Sequence, residues 1–169
     1  LNGAPLEPLN VGAFKERAQS DDAIVLDVRS YESFGGQHVP NSYNIDVGGN
    51  FSVFAGWMLP PDRDILLVAA NEGEAHAART ALQRVGLDRA RGFLEGGLFD
   101  WAKNGYQLNH VAQLSAHEFH DLLQGKNAMS VIDVRSPREF EAVHIEGAVN
   151  VPVHDLRTGH EQLDKDMTH

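Results

Sequence analysis

The sequence predicts an α/β protein: a central parallel sheet flanked by helices, built as one complete module and the N-terminal part of a second. Three observations carry this. Short apolar runs, "IVLDV" and "ILLVA", alternate with helical patterns, and strands alternating with helices give a parallel sheet. The segment Ala23 to Ile45 recurs as Met129 to Val151 at an offset of 106, with eight identities in 23 ungapped positions. That period is too long for a solenoid unit of about 20–50 residues and suits duplicated domains. The modules are placed at residues 1–108 and 109–169.

The elements follow in order. Val11 to Ala18 is a helix with Asn10 as N-cap. Ile24 to Val28 is a strand buried on both faces, since its apolar run breaks only at Asp27. Ser30 caps a short helix through Phe34, and "HVPNSYNI" turns into a second strand. The stretch "FSVFAGWM" is read as a loop region in which Phe54, Trp57 and Met58 line a pocket or pack against a neighbouring domain. Ile65 to Ala69 is a third strand. Glu74 to Val85 is a helix, with Ala78, Ala81, Leu82 and Val85 on one face and Gly86 at its C-terminal cap. "RARGFLEGG" is a short strand ending in two glycines, and "LFDWAKNG" a last helix closed by Gly105.

The second module opens the same way. Ser115 and Glu118 form a capping box ahead of Phe119, Leu122 and Leu123. Val131 to Val134 is its strand. Ser136 and Glu139 form another box, with Pro137 at the favoured first helical position.

Composition narrows the function classes. The chain has 169 residues, 42% hydrophobic and 22% charged, as globular domains do. Its net charge of −10 argues against a nucleic-acid binder, which needs a basic face, and fits a soluble protein. There is no cysteine, hence no disulfide, thiolate metal site or cysteine nucleophile. No apolar run approaches the roughly 20 residues of a membrane helix, and no signal peptide is evident, so a cytoplasmic setting is expected. The start at Leu1 rather than Met suggests a piece of a longer chain.

"DVRSPREFEAVHIEGAVNV" resembles the opening motif of rhodanese-like domains, and "FLEGGLFDWAKNGYQL" resembles their closing motif, with paired glycines, a tryptophan and a terminal glycine. The resemblance covers essentially the whole chain. It implies the rhodanese-like fold and, in active members, sulfurtransferase chemistry. There a cysteine heads the loop after the strand equivalent to Ile65–Ala69, takes up a sulfane sulfur as a persulfide and passes it to a thiol. A helix N-terminus behind such a loop stabilises the thiolate. "FAGWMLPPDRDILLVA" and the tandem arrangement further resemble the rhodanese region of fusions with a metallo-β-lactamase-fold domain. Several such fusions handle persulfides, and the resemblance implies that domain as an upstream partner.

This sequence departs from the active pattern. The cysteine position falls on or beside Ala69-Ala70-Asn71, and no thiol exists anywhere. Glu72 and Glu74 put negative charge where an anionic substrate would sit. The loop Ala69, Ala70, Asn71, Glu72, Gly73, Glu74 and Ala75 therefore reads as a degenerate active site kept as a strand-to-helix connection, with no catalytic residue and no cofactor. Ser33 and Asn41 stand where the motif has Glu and Gly, while the second module keeps Glu139 and Gly147. The second module's own loop is expected a few residues past His169, in the parent protein. Its truncation would leave a sheet edge unpaired, so the remnant is expected either to self-associate with another chain or to pack irregularly on the first module.

Asp27/Arg29 and Asp133/Arg135 admit two readings: catalytic acids and bases, or structural ion pairs at the sheet's end. The second is favoured, because buried charges need partners and Arg offers five donors. His38 and His144 occupy equal places in the repeat and read as turn-stabilising hydrogen-bond groups. His117 and His120 sit three apart on a helix, but no third ligand converges by spacing, so no metal is expected. The functional alternatives are a sulfur-transfer module silent in this chain and a non-catalytic scaffold or recognition module.

Overall fold

A computed structural model of the chain describes residues 5–125 and 129–163. The chain divides into two compact units, with the break between Gln113 and Leu114. The first therefore runs five residues beyond 108. The reason is a strap of contacts: Asn109 and His38 pair antiparallel, the Val111 N–H donates to the Gly35 carbonyl, and the Gln113 side chain donates to the Tyr31 carbonyl.

In the first unit five parallel strands lie in the order β1-β5-β4-β2-β3. They are β1 (Glu7–Leu9), β2 (Ala23–Asp27), β3 (Tyr43–Asn44), β4 (Asp64–Val68) and β5 (Ala90–Leu94). The helices are α1 (Val11–Ala18), α2 (Tyr31–Gly36), α3 (Phe51–Met58), α4 (Glu72–Gln83) and α5 (Gly97–Lys103). Side chains alternate across a strand, so the central strands feed two cores. Leu26, Ile65, Leu67 and Phe93 pack with α3 and α4 residues such as Phe51, Ala55, Ala78 and Leu82. Val25, Leu66, Val68 and Leu94 pack on the other face against Phe14 of α1 and Trp101 of α5. Phe14 is fully buried and meets Trp101 edge to face. Burying such a side chain stabilises the fold by about 1.5–3 kcal/mol.

The second unit holds α6 (Ala116–Gln124), β6 (Ile132–Asp133), α7 (Pro137–Ala142), β7 (Val149–Asn150) and α8 (Leu156–Gly159). Both expected capping boxes form, Ser115 with Glu118 and Ser136 with Glu139. β6 and β7 pair in parallel with the register of β2 and β3: Ile132↔Val149 and Asp133↔Asn150 repeat Leu26↔Tyr43 and Asp27↔Asn44.

Three elements differ from the sequence reading. "FSVFAGWM" is a helix, α3, not a loop. It carries no side-chain cap bond at Asn50 and is apolar nearly all round, so neither a cap signal nor a periodicity marked it. β1 is an edge strand of three residues, too short for an alternating pattern. α4 begins at Glu72 rather than Glu74, because Asn71 is its N-cap and accepts the Glu74 N–H at 3.0 Å. Glu72, Gly73, Glu74 and Ala75 thus form the first helical turn, and the connection from β4 shrinks to Ala69–Asn71. Residues 164–169, which end the second module, lie outside the described residues.

Candidate functional site: the connection after the central strand

In open parallel sheets, ligands bind beyond the carboxyl ends of the strands. The connection from β4 to α4 lies there, at the centre of the sheet. It borders a cavity of about 430 Å³ whose lining includes Ala69, Ala70, Asn71, Glu72, Glu95 and Gly96. The paired glycines shape the rim: Gly96 and Gly97 both take positive φ, 74° and 59°, which turns β5 tightly into α5.

A helix start supplies unpaired N–H donors and the positive end of the helix dipole, the features that hold an anion. Here side chains of the chain itself engage two N–H groups at that start, those of Ala70 and Glu74. The Glu74 carboxylate accepts the Ala70 N–H at 2.5 Å, and the Asn71 side chain accepts the Glu74 N–H. Ala75 closes the first turn onto the Asn71 carbonyl at 3.2 Å. Glu72 lies 3.5 Å from His76 across one turn. The cavity lining holds two carboxylates, Glu72 and Glu95, and no basic residue.

A second cluster forms at the end of β2. The Asp27 side chain is fully buried, and Arg29 grips both its oxygens, with Nη2 to Oδ2 at 2.6 Å. Arg29 also donates to the Gln37 carbonyl, and Asn44 donates to the carbonyls of Asp27 and Arg29. His38 is buried, with Nδ1 2.8 Å from the Phe34 carbonyl and its ring stacked on Phe34 at 3.9 Å.

The second unit reproduces this cluster bond for bond. Arg135 grips Asp133 and donates to the Val143 carbonyl, and Asn150 donates to the carbonyls of Asp133 and Arg135. His144 stacks on Phe140 at 4.0 Å, with Nδ1 2.7 Å from its carbonyl. Side-chain and backbone hydrogen bonds from Arg135 hold the Asp133 carboxyl below its ordinary range, and the Asp133 carboxylate in turn raises Arg135. Bonds from Ser136 hold Glu139 down in the same way. The arrangement is an arginine-centred latch closing the turn between strand and helix, with every named group engaged.

His117 lies 3.9 Å from Asp121 on α6. Among the described residues, no group of three or more His, Asp and Glu side chains is placed to hold a metal. Nor is any described helix long and apolar enough to cross a membrane.

A parallel sheet wrapped by helices, a glycine-rimmed connection after its central strand and a duplicated Asp-Arg-Asn latch define the class of the protein. The chain belongs to the rhodanese-like domain family, whose pattern it matches over residues 10–104 and 115–168. Among solved structures it is similar to the Alr3790 protein from Anabaena sp., at 21% identity and a TM-score of 0.56, covering 70% of this chain and 94% of that one. It is also similar to a rhodanese-related protein from Thermoplasma volcanium, at 24% identity and a TM-score of 0.50, covering 61% and 97%. An anaerobic ergothioneine biosynthesis enzyme from Chlorobium limicola matches at 15% identity and a TM-score of 0.55, covering 88% of this chain and 41% of that one. No curated protein matches the sequence.

Proposed function

We propose that this chain is a catalytically silent rhodanese-like module of a larger sulfur-handling protein. The observation that carries the reading is the Glu74–Ala70 bond: where an active member would hold a sulfur anion, a carboxylate of the chain already occupies a backbone donor. The missing thiol removes the sulfur carrier, and Glu72 and Glu95 set the cavity against thiosulfate. In the parent protein, the partner is an upstream metallo-β-lactamase-fold domain, the setting is cytoplasmic, and the second module carries the thiol beyond the present sequence. The chain itself uses no cofactor. The test is thiocyanate formation from thiosulfate and cyanide. The purified chain gives none above blank, while the parent protein, assayed alongside, gives it through a cysteine in its second module.

A scaffolding role for the first unit has its own support. Val53 and Trp57, one turn apart on α3, are 46% and 43% exposed on a helix whose other apolar residues feed the core. Contiguous apolar surface of this kind suits a docked domain. Trp57→Ala should weaken association with the upstream domain; unchanged association would remove this reading while leaving catalytic silence standing.

A further inference from the structure

We propose that a second cavity, at the opposite end of the sheet from the β4–α4 connection, binds a small organic anion with a flat apolar body. It lies at the amino ends of the strands, where Ala23 and Ile24 begin β2. Its volume is about 580 Å³, within the roughly 300–1,000 Å³ of small-molecule sites. Ile24, Val25 and Val39 give one side of it apolar surface, Gln19, Asn41 and Gln107 add polar groups, and the short side chains of Ala18 and Ala23 leave the hollow open. Tyr106 forms a fixed wall. Its ring packs on Trp101 at 5.1 Å, and Trp101 Nε1 donates to the Gln107 carbonyl at 2.8 Å.

The cations define the ligand. Lys15 and Arg63 both line this cavity. The Lys15 ammonium sits 4.0 Å over the Tyr106 ring, and among the described residues neither it nor Arg63 is in an ion pair. Elsewhere in the unit, Arg17, Arg29, Arg89 and Arg91 each grip a carboxylate. In a chain with 24 acidic and 14 basic residues, two cations on the lining of one hollow give it a positively charged rim. Asp21 also lines the cavity, but it is exposed and pairs with neither cation. An apolar floor with two nearby donors of positive charge suits a planar body carrying a carboxylate, sulfonate or phosphate.

The probe is naphthyl phosphate, titrated into the intact chain by calorimetry, with backbone amide shifts locating it. It should bind saturably, with shifts centred on Ile24, Val39 and Tyr106. Inorganic phosphate (charge without the body) and naphthalenemethanol (body without the charge) should each bind at least roughly tenfold more weakly. Lys15→Gln and Arg63→Gln should each weaken naphthyl phosphate roughly tenfold, as the loss of one charge-assisted contact does. Arg63→Gln should leave the melting temperature unchanged, and Lys15→Gln should lower it only slightly, through the lost contact with the Tyr106 ring. No saturable binding, binding by the two variants as tight as by the unaltered chain, or shifts confined to Ala69–Ala75 would each overturn the proposal. None of these outcomes bears on the catalytic silence of the other cavity.

Discussion

The Glu74 carboxylate accepts the backbone N–H of Ala70 at 2.5 Å, reaching back from the first turn of α4 to the residue that follows β4 and Ala69. It places a fixed negative charge where the helix dipole would otherwise favour an external anion. A thiol introduced there tests this, because the chain has no other cysteine to confuse the reading. In Ala70→Cys, the neighbouring carboxylate should offset the dipole and keep the thiol near its ordinary pKa of about 8.5. Adding Glu74→Gln should lower it by roughly half a unit to one unit, the scale of one nearby charge. The pH dependence of iodoacetamide alkylation reads both values. Identical profiles would show that Glu74 does not control the site.

The two latches share every bond but not their burial. Asp27 is fully buried, and the Arg29 side chain is 14% exposed; Arg135 is 42% exposed. Breaking a buried pair strands a charge, which costs about 3–5 kcal/mol. Asp27→Asn should cost the first unit an amount near the lower end of that range, because Arg29 keeps some access to water. Asp133→Asn should cost the second unit distinctly less. Urea midpoints followed by amide resonances of each unit check the comparison.

The pH response of the second latch has a definite sign. Asp133 is held below its ordinary value by the hydrogen bonds from Arg135. The stabilisation is therefore complete above the unfolded aspartate pKa of about 3.9 and is lost as pH falls through the lower folded value. The Asp133 carboxyl carbon, followed by NMR, should titrate below that reference. Arg135→Gln should bring it back toward the reference, and an unchanged midpoint would refute the assigned cause.

Asn41 and Gly147, equivalent in the repeat, both take positive φ, 60° and 83°. The turn demands the left-handed region at this position, which glycine enters freely and asparagine tolerates. Gly147→Ala should cost about 1–2 kcal/mol from the backbone alone, since open space surrounds the added methyl. Asn41→Gly should cost little or nothing. Thermal melts of the two variants give the comparison.

Much of this was legible in the residues. Asn10, Ser30, Ser115 and Ser136 announce helix starts, because capping is chemistry within three or four residues of sequence. The latch was legible as a pattern through its repetition, since Asp27, Arg29, His38 and Asn44 return as Asp133, Arg135, His144 and Asn150. What escaped depends on distant partners. β1 exists as a strand through its pairing with β5, more than 80 residues away. α3 is specified by packing against α4 rather than by a cap or a polar face. The Glu74–Ala70 bond needed the start of α4 at Glu72, which places Glu74 two residues further into the helix than the sequence suggested.

A silent module requires that the connection after β4 receives no sulfur anion. Titrating thiosulfate into the isotope-labelled chain and following the amides of Ala69 to Ala75 tests it most directly. No saturable shift should appear at these residues up to millimolar thiosulfate. Saturable shifts centred on Ala70 and Asn71, growing with thiosulfate and absent with chloride, would contradict that requirement.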